Sequence, residues 1–250
     1  MRKTDILRDI AVSLVLLTRL PLPRVPADAF DQQARAAWAF PLAGLVVSGL
    51  ACAMAGAAMA LGIPAAASAG VLLTTQIVMT GAMHDDGLAD TADGVWGGFT
   101  PERRLEIMKD SHIGTYGVLA LILFTGLRWV ALSALLGVGA YGAVIGAAML
   151  SRATLPAMMT ALPPARPNGL ARTVGEPGST VAAIAIALAI LVATALSGPV
   201  TIFAVALAAL CTVTIAAIAR TKIGGQTGDI LGATQVVTET AVLLVWLSVI

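Results

Sequence analysis

Four of the 14 acidic residues stand within nine positions, in the run His84-Asp85-Asp86-Gly87-Leu88-Ala89-Asp90-Thr91-Ala92-Asp93-Gly94. On a helix, Asp86, Asp90 and Asp93 fall at i, i+4 and i+7 and share one face within about 60° of arc, while Asp85 sits to the side. Three carboxylates on one stripe repel one another, and a cation between them removes that cost. Hard oxygen ligands with room left for waters and substrate phosphates suit Mg²⁺ or Mn²⁺ better than zinc. His84 could serve as a further ligand or as a base, or simply be a wetted polar residue. The competing reading is a solvated acidic helix start. The surrounding Gly87, Gly94, Gly97 and Gly98, in a chain that otherwise avoids charge, favour the metal site.

Two further blocks carry groups suited to phosphate. Arg103-Arg104-Leu105-Glu106-Ile107-Met108-Lys109-Asp110-Ser111-His112-Ile113-Gly114, with Pro101 one turn ahead of Leu105, reads as an amphipathic surface helix running into a glycine turn. Arg103, Arg104 and Lys109 are cations for a diphosphate, and Ser111, His112 and the turn amides can assist. Lys222-Ile223-Gly224-Gly225-Gln226-Thr227-Gly228-Asp229 opens the last helix with a glycine-rich turn that lacks the Lys-Ser/Thr pair of a Walker loop. A helix N-terminus behind such a turn is still a natural anion site, with Gly225 and Thr227 at the phosphate and Asp229 as another metal ligand. Arg166, Asn168 and Arg172 form a smaller cationic patch for phosphate or lipid headgroups.

The elements that must position these groups are set by an extreme composition. Of 250 residues 58% are hydrophobic and 12% charged, with a mean hydropathy of +0.91, which excludes an ordinary water-soluble enzyme. Apolar runs near 38–62, 66–83, 116–137, 141–161, 180–197, 199–219 and 230–250 approach the ~20 residues that cross a bilayer. The expected fold is therefore all-α, a polytopic helical bundle of about seven transmembrane helices. An N-terminal interfacial helix precedes it, because the apolar stretch between Asp5 and Arg19 is short and is followed by Pro21, Pro23 and Pro26. The chain reads as one membrane-embedded domain over 1–250, with 1–37 interfacial and 84–115 the cytoplasmic catalytic segment. No small-residue cleavage site follows Leu17, so no cleaved leader is expected. Cys52 and Cys211 lie far apart in apolar runs and read as packing residues.

Alternate connections are charged and bare. The turns near 63–65, 138–140 and 198 carry no charge, while 84–115, 162–179 and 220–229 carry nearly all of it. By the positive-inside rule the charged face is cytoplasmic, with the N-terminus inside and Ile250 outside the inner membrane. Arg128, Arg152 and Glu239 fall within spans and are expected to face the bundle interior and pair. The 15 basic and 14 acidic residues nearly cancel, which gives no reason to expect nucleic acid as a partner. Carboxylates for a divalent cation, arginines and glycine turns on one face of an apolar bundle are the parts that phosphoryl-group transfer requires.

The three blocks, in this order and with Ser151-Arg152 and Ala165-Arg166 through Gly169-Leu170 between them, closely resemble the cobalamin synthase (adenosylcobinamide-GDP ribazoletransferase) family over the whole chain. One departure is Asp85, where the family carries Glu; a carboxylate is retained. The resemblance implies a late step of cobalamin synthesis. α-Ribazole or its 5′-phosphate attacks adenosylcobinamide-GDP, GMP leaves, and Mg²⁺ is required. It also implies a lipid bilayer as setting, and a homo-oligomer is compatible with it. On this reading Asp86, Asp90, Asp93 and Asp229 hold the metal, Asp85 and Asp110 assist or act as base, and Arg103, Arg104 and Lys109 steady the diphosphate. Two alternatives remain: a CDP-alcohol phosphotransferase, whose motif would place arginine where Asp90 stands, and a cation-coupled transporter, which would hold its acids near the bilayer midplane.

Overall fold

The computed structural model describes residues 3–250, apart from the side chains of Lys3, Thr4, Leu170 and Ala171. Met1 and Arg2, expected in the N-terminal interfacial segment, lie outside the described residues. The fold is all-helical, a polytopic helical membrane protein, with no named strand among the described residues. In chain order the α-helices are α1 (Lys3–Leu17), α2 (Gln33–Ala36), α3 (Phe40–Ala60), α4 (Ala65–Thr80), α5 (Met83–Gly97), α6 (Pro101–Ile107), α7 (Thr115–Gly137), α8 (Tyr141–Ala161), α9 (Leu170–Val174), α10 (Ser179–Ser197), α11 (Thr201–Ile223) and α12 (Gly228–Leu247).

Six of the expected spans appear as helices long and apolar enough to cross a bilayer. The seventh, expected over 66–83, departs from expectation. Its helix α4 has 16 residues and rises about 24 Å, short of the ~30 Å hydrocarbon core. It stops at Gly81 and Ala82, both in the left-handed region with φ of 63° and 57°. Ala82 is a rare conformation for a side-chain-bearing residue, and with Gly81 it turns the chain so that α5 leaves at 85° to α4. The acidic run is therefore a helix of its own rather than the end of a span.

Helices α8 and α12 form the centre, with 83% and 72% of their apolar windows buried, against 17–22% for α7, α10 and α11, whose outer faces carry Ile122, Leu123, Leu191, Phe203 and Leu210 as lipid would require. Small residues let the central helices approach. A Cβ at Gly44 of α3 would stand 2.3 Å from the Ala148 carbonyl of α8, and α10 presents Ala182, Ala185, Ala189 and Ala193 as a buried stripe. The bare turns gather at one end, where Gly142 packs on the Leu196 carbonyl and Trp129 donates to the Ala66 carbonyl. The charged connections gather at the other, joined by Arg19 N–H to Met79 O, Gln226 N–H to Pro163 O and Arg104 to Lys222 O. At this end α1 lies against α3, with its buried Asp9 held by Arg35 and Trp38.

The three intramembrane charges face inward and pair, and one of them takes its partner from the acidic run. Arg152 lies 3.5 Å from Glu239, which also accepts from Gln76 and Gln235. Arg128 pairs with Asp85, and both are withdrawn from solvent. A charge left alone in such a site is far costlier than the pair, by roughly 3–5 kcal/mol. Arg128→Met should therefore destabilise the detergent-solubilised protein by about that amount. Adding Asp85→Asn should restore much of the loss in a denaturant or thermal melt. Additive losses in the double variant would show that the two side chains do not act as a pair.

Candidate active site

Helix α5 lies against the first turns of α12 because both are glycine at the crossing. A Cβ on Gly87 would meet the Asp229 backbone at 2.8 Å, and one on Gly232 would meet the His84 backbone at 3.2 Å. This contact brings the acidic run to the N-terminus of α12. The connection from α8 to α9 closes the third side: Pro164 and Gln226 form an isolated parallel bridge, with Ala165 N–H bonded to Gln226 O at 2.8 Å. Gly225 is required there, since a Cβ would lie 2.1 Å from the Pro163 carbonyl. Its role is thus to let two turns touch rather than to expose an amide to phosphate.

A polar cleft of about 180 Å³, open to solvent, lies between these elements. Asp86, Asp229, Arg166, Asn168 and Arg172 line it together with Gln226, Thr227 and Gly228. Thr227 caps α12 by accepting from Ile230 N–H, and its hydroxyl bonds Asp229 at 3.2 Å. Arg166 bridges the site, donating to Asp229 at 3.1 Å and to the Leu105 carbonyl of α6 at 3.0 Å. Asp86 is exposed and Asp90, one turn on, half-buried; neither makes a hydrogen bond or ion pair with another side chain among the described residues. Asp90 feels the like charges of Asp86 and Asp229 and the opposite charge of Arg166. The N-terminal end of the 20-residue α12 adds its partial positive charge.

The other candidate residues lie elsewhere, each for a definite reason. Both Asp93 oxygens are taken by the amides that open α7, Gly114 N–H at 2.7 Å and Gly117 N–H at 2.9 Å, so this carboxylate is a helix cap and not an open metal ligand. Asp85 points to Arg128, away from the cleft. Arg104 donates to the Val95 and Lys222 carbonyls and ties α6 to α5 and α11, while Arg103 is exposed and pairs with Glu106. Lys109, Ser111 and the Asp110–His112 pair sit on an exposed turn. There the hydrogen bond that the His112 ring donates to the Asp110 carboxylate raises the imidazole above its ordinary range. Gln226 stands within the glycine-rich block without a role of its own, and the bridge to Pro164 brings it to the cleft.

Among the described residues no three His, Cys, Asp or Glu side chains converge as a closed metal cage. The donor set fits an open site instead: Mg²⁺ is commonly held by one or two carboxylates, with waters and substrate phosphates completing its octahedron. Asp86 and Asp229 at one cleft, with two arginines in the same lining, meet that description.

The family model described as cobalamin-5-phosphate synthase matches residues 9–247. The chain is 45% identical over 244 residues to adenosylcobinamide-GDP ribazoletransferase of Bradyrhizobium diazoefficiens, covering 96% of this chain and 94% of the relative. It is 44% identical to the protein of the same name from a Sinorhizobium species (96% and 95% covered) and 40% identical to that of Azorhizobium caulinodans (98% and 97%). No solved structure matches significantly.

The capping role of Asp93 has a direct consequence. Asp93→Ala should lower stability by about 1–2 kcal/mol, as loss of a helix cap does. A thermal melt in detergent reads this, and an unshifted melt would remove Asp93 from the cap.

Proposed function

The chain belongs to the cobalamin-5-phosphate synthase family, and on that premise we propose that it joins α-ribazole, or its 5′-phosphate, to adenosylcobinamide-GDP with release of GMP. The observation that carries the reading is the cleft at the α5–α12 crossing. Carboxylates suited to a divalent cation there face Arg166, Arg172 and a helix N-terminus suited to a diphosphate.

In this reaction a ribose hydroxyl oxygen bonds to the phosphorus that carries the cobinamide, and the phosphoanhydride bond to GMP breaks. The hydroxyl proton goes to Asp90, and GMP leaves as the free nucleotide. Arg166 and Arg172 orient the diphosphate, and the amides of the first α12 turn accept its negative charge. Asp86 and Asp229 would hold Mg²⁺, which when bound supplies charge neutralisation at the phosphates and the leaving group. Arg166 keeps Asp229 in place through the 3.1 Å bond while its other nitrogen is fixed on Leu105, so one guanidinium serves both ligand and substrate. The excess of Lys and Arg at this end of the bundle supports a cytoplasmic site in the inner membrane, with the C-terminus outside.

The test is GMP release by the protein in liposomes, given adenosylcobinamide-GDP, α-ribazole and Mg²⁺. Release is expected only with both substrates and is abolished by chelator. Asp86→Asn should raise the Mg²⁺ concentration for half-maximal rate by at least ~10-fold. Asp90→Asn should lower kcat by about 10²-fold or more with that concentration unchanged. Near-normal rates in both folded variants would remove the acidic run from the chemistry.

A further inference from the structure

A second space lies in the middle of three spans. It has a volume of about 220 Å³ and is lined by α8, α10 and α11 alone. Leu150 and Ala153 of the central helix α8 lie at its depth, 4% and 2% exposed, while Ile186 of α10 and Val213 of α11, at 37% and 67%, stand at its rim. The space is therefore a groove that opens outward between α10 and α11. Ile184, Leu191, Phe203 and Leu210 are exposed on the same two helices. At this level of a membrane-spanning helix the opening faces hydrocarbon, not water.

The lining offers no free hydrogen-bond donor. Its two polar residues are threonines, and each hydroxyl already donates within its own helix, Thr154 to the Ser151 carbonyl at 2.6 Å and Thr212 to the Ala208 carbonyl at 2.7 Å. The remaining side chains are Leu, Ile, Val and Ala. A polar ligand would lose its water there without replacement. Walls without neighbours, on the other hand, forfeit dispersion contacts. A flexible saturated chain satisfies both conditions.

What such a chain is attached to is set by α11. Arg220 stands seven residues beyond Val213 and eleven beyond Ala209, both in the lining, and so shares their face of the helix within about 20° of arc. It is exposed, near the charged end of the span, and makes no ion pair or side-chain hydrogen bond among the described residues. Val213 lies about 10 Å and Ala209 about 16 Å below it along the helix, the depth that the chains of one leaflet reach in a hydrocarbon core of ~30 Å.

We infer that this groove is a phospholipid site: one acyl chain lies between α10 and α11 against α8, and the phosphate of an anionic headgroup rests at Arg220. Nucleotides and other ligands rich in polar groups do not suit it, since nothing in the lining replaces their water. Lipid that merely surrounds the bundle, exchanging freely, is the alternative for the experiment to separate.

The test extracts the intact protein from vesicles of equal phosphatidylglycerol and phosphatidylcholine, washes it exhaustively in detergent and counts the retained lipid by native mass spectrometry. One lipid per chain is expected, with phosphatidylglycerol preferred. Ala209→Phe fills the groove from α11 and Ile186→Trp from α10, and in each the retained lipid should fall at least ~10-fold. Both positions are at the rim, and a thermal melt shows that each variant is folded; either one alone decides. Arg220→Gln should lower the preference for phosphatidylglycerol by about fivefold, the effect of one interfacial cation. No retained lipid in the unaltered protein, or equal retention in the filled variants, overturns the site in favour of surrounding lipid. So does an unchanged headgroup preference in Arg220→Gln, since the phosphate would then lie elsewhere.

Discussion

A charge placed in hydrocarbon must find its counter-charge, and in this protein that requirement fixes the helix that carries the acidic run. Arg128 stands on a span with lipid on its outer face, and the carboxylate that neutralises it comes from Asp85 at the start of α5. Successive residues of a helix point about 100° apart. Once Asp85 is held inward by Arg128, Asp86 must turn toward the cleft, and Asp90 follows it one turn later. The neighbouring Arg152–Glu239 pair, with Gln76 and Gln235 on the same carboxylate, lines one small cavity with this anchor. Breaking the pair would release a charge into the bundle and a helix from its register together.

This gives the four acids of one run four different fates. Asp85 is structural and inward, Asp93 is structural and upward, and only Asp86 and Asp90 are left with oxygens free for other partners. The two structural acids hold the two ends of α5, one against α7 near its middle and one against its first turn. The segment between them carries Gly87, whose missing side chain sets the distance to Asp229. Repulsion among the remaining carboxylates is thus accepted by a helix whose ends cannot move apart.

Much of this was legible in the sequence, and what was not follows a pattern. The spans were readable because lipid demands long apolar runs, and the pooling of charge at one end because loops alternate sides. The three chemical blocks were visible as residue types, and Asp86, Asp229, Arg166 and Thr227 do line one cleft. The break at Gly81-Ala82 was hidden because hydropathy continues through it, and backbone dihedrals leave no trace in an apolar run. The fates of Asp85, Asp93 and Arg104 were hidden for another reason: each is decided by a partner 9 to 118 positions away, and spacing on one helix reports only local neighbours. Charged side chains in the Arg103–His112 block looked like phosphate ligands, but an exposed cation and a bound one look the same in a sequence.

The position of the site within the bundle follows from the same economy. A cleft lined by carboxylates and arginines must be wet, and the bundle interior beside it must stay dry. Here the boundary falls at α12's first turn, where Gly228 belongs to both spaces, the capping hydroxyl of Thr227 faces the polar side and Leu231 faces the apolar side. Within four residues the helix passes from an end with unsatisfied amides, which attracts anions, to an apolar face inside the bundle, which excludes them.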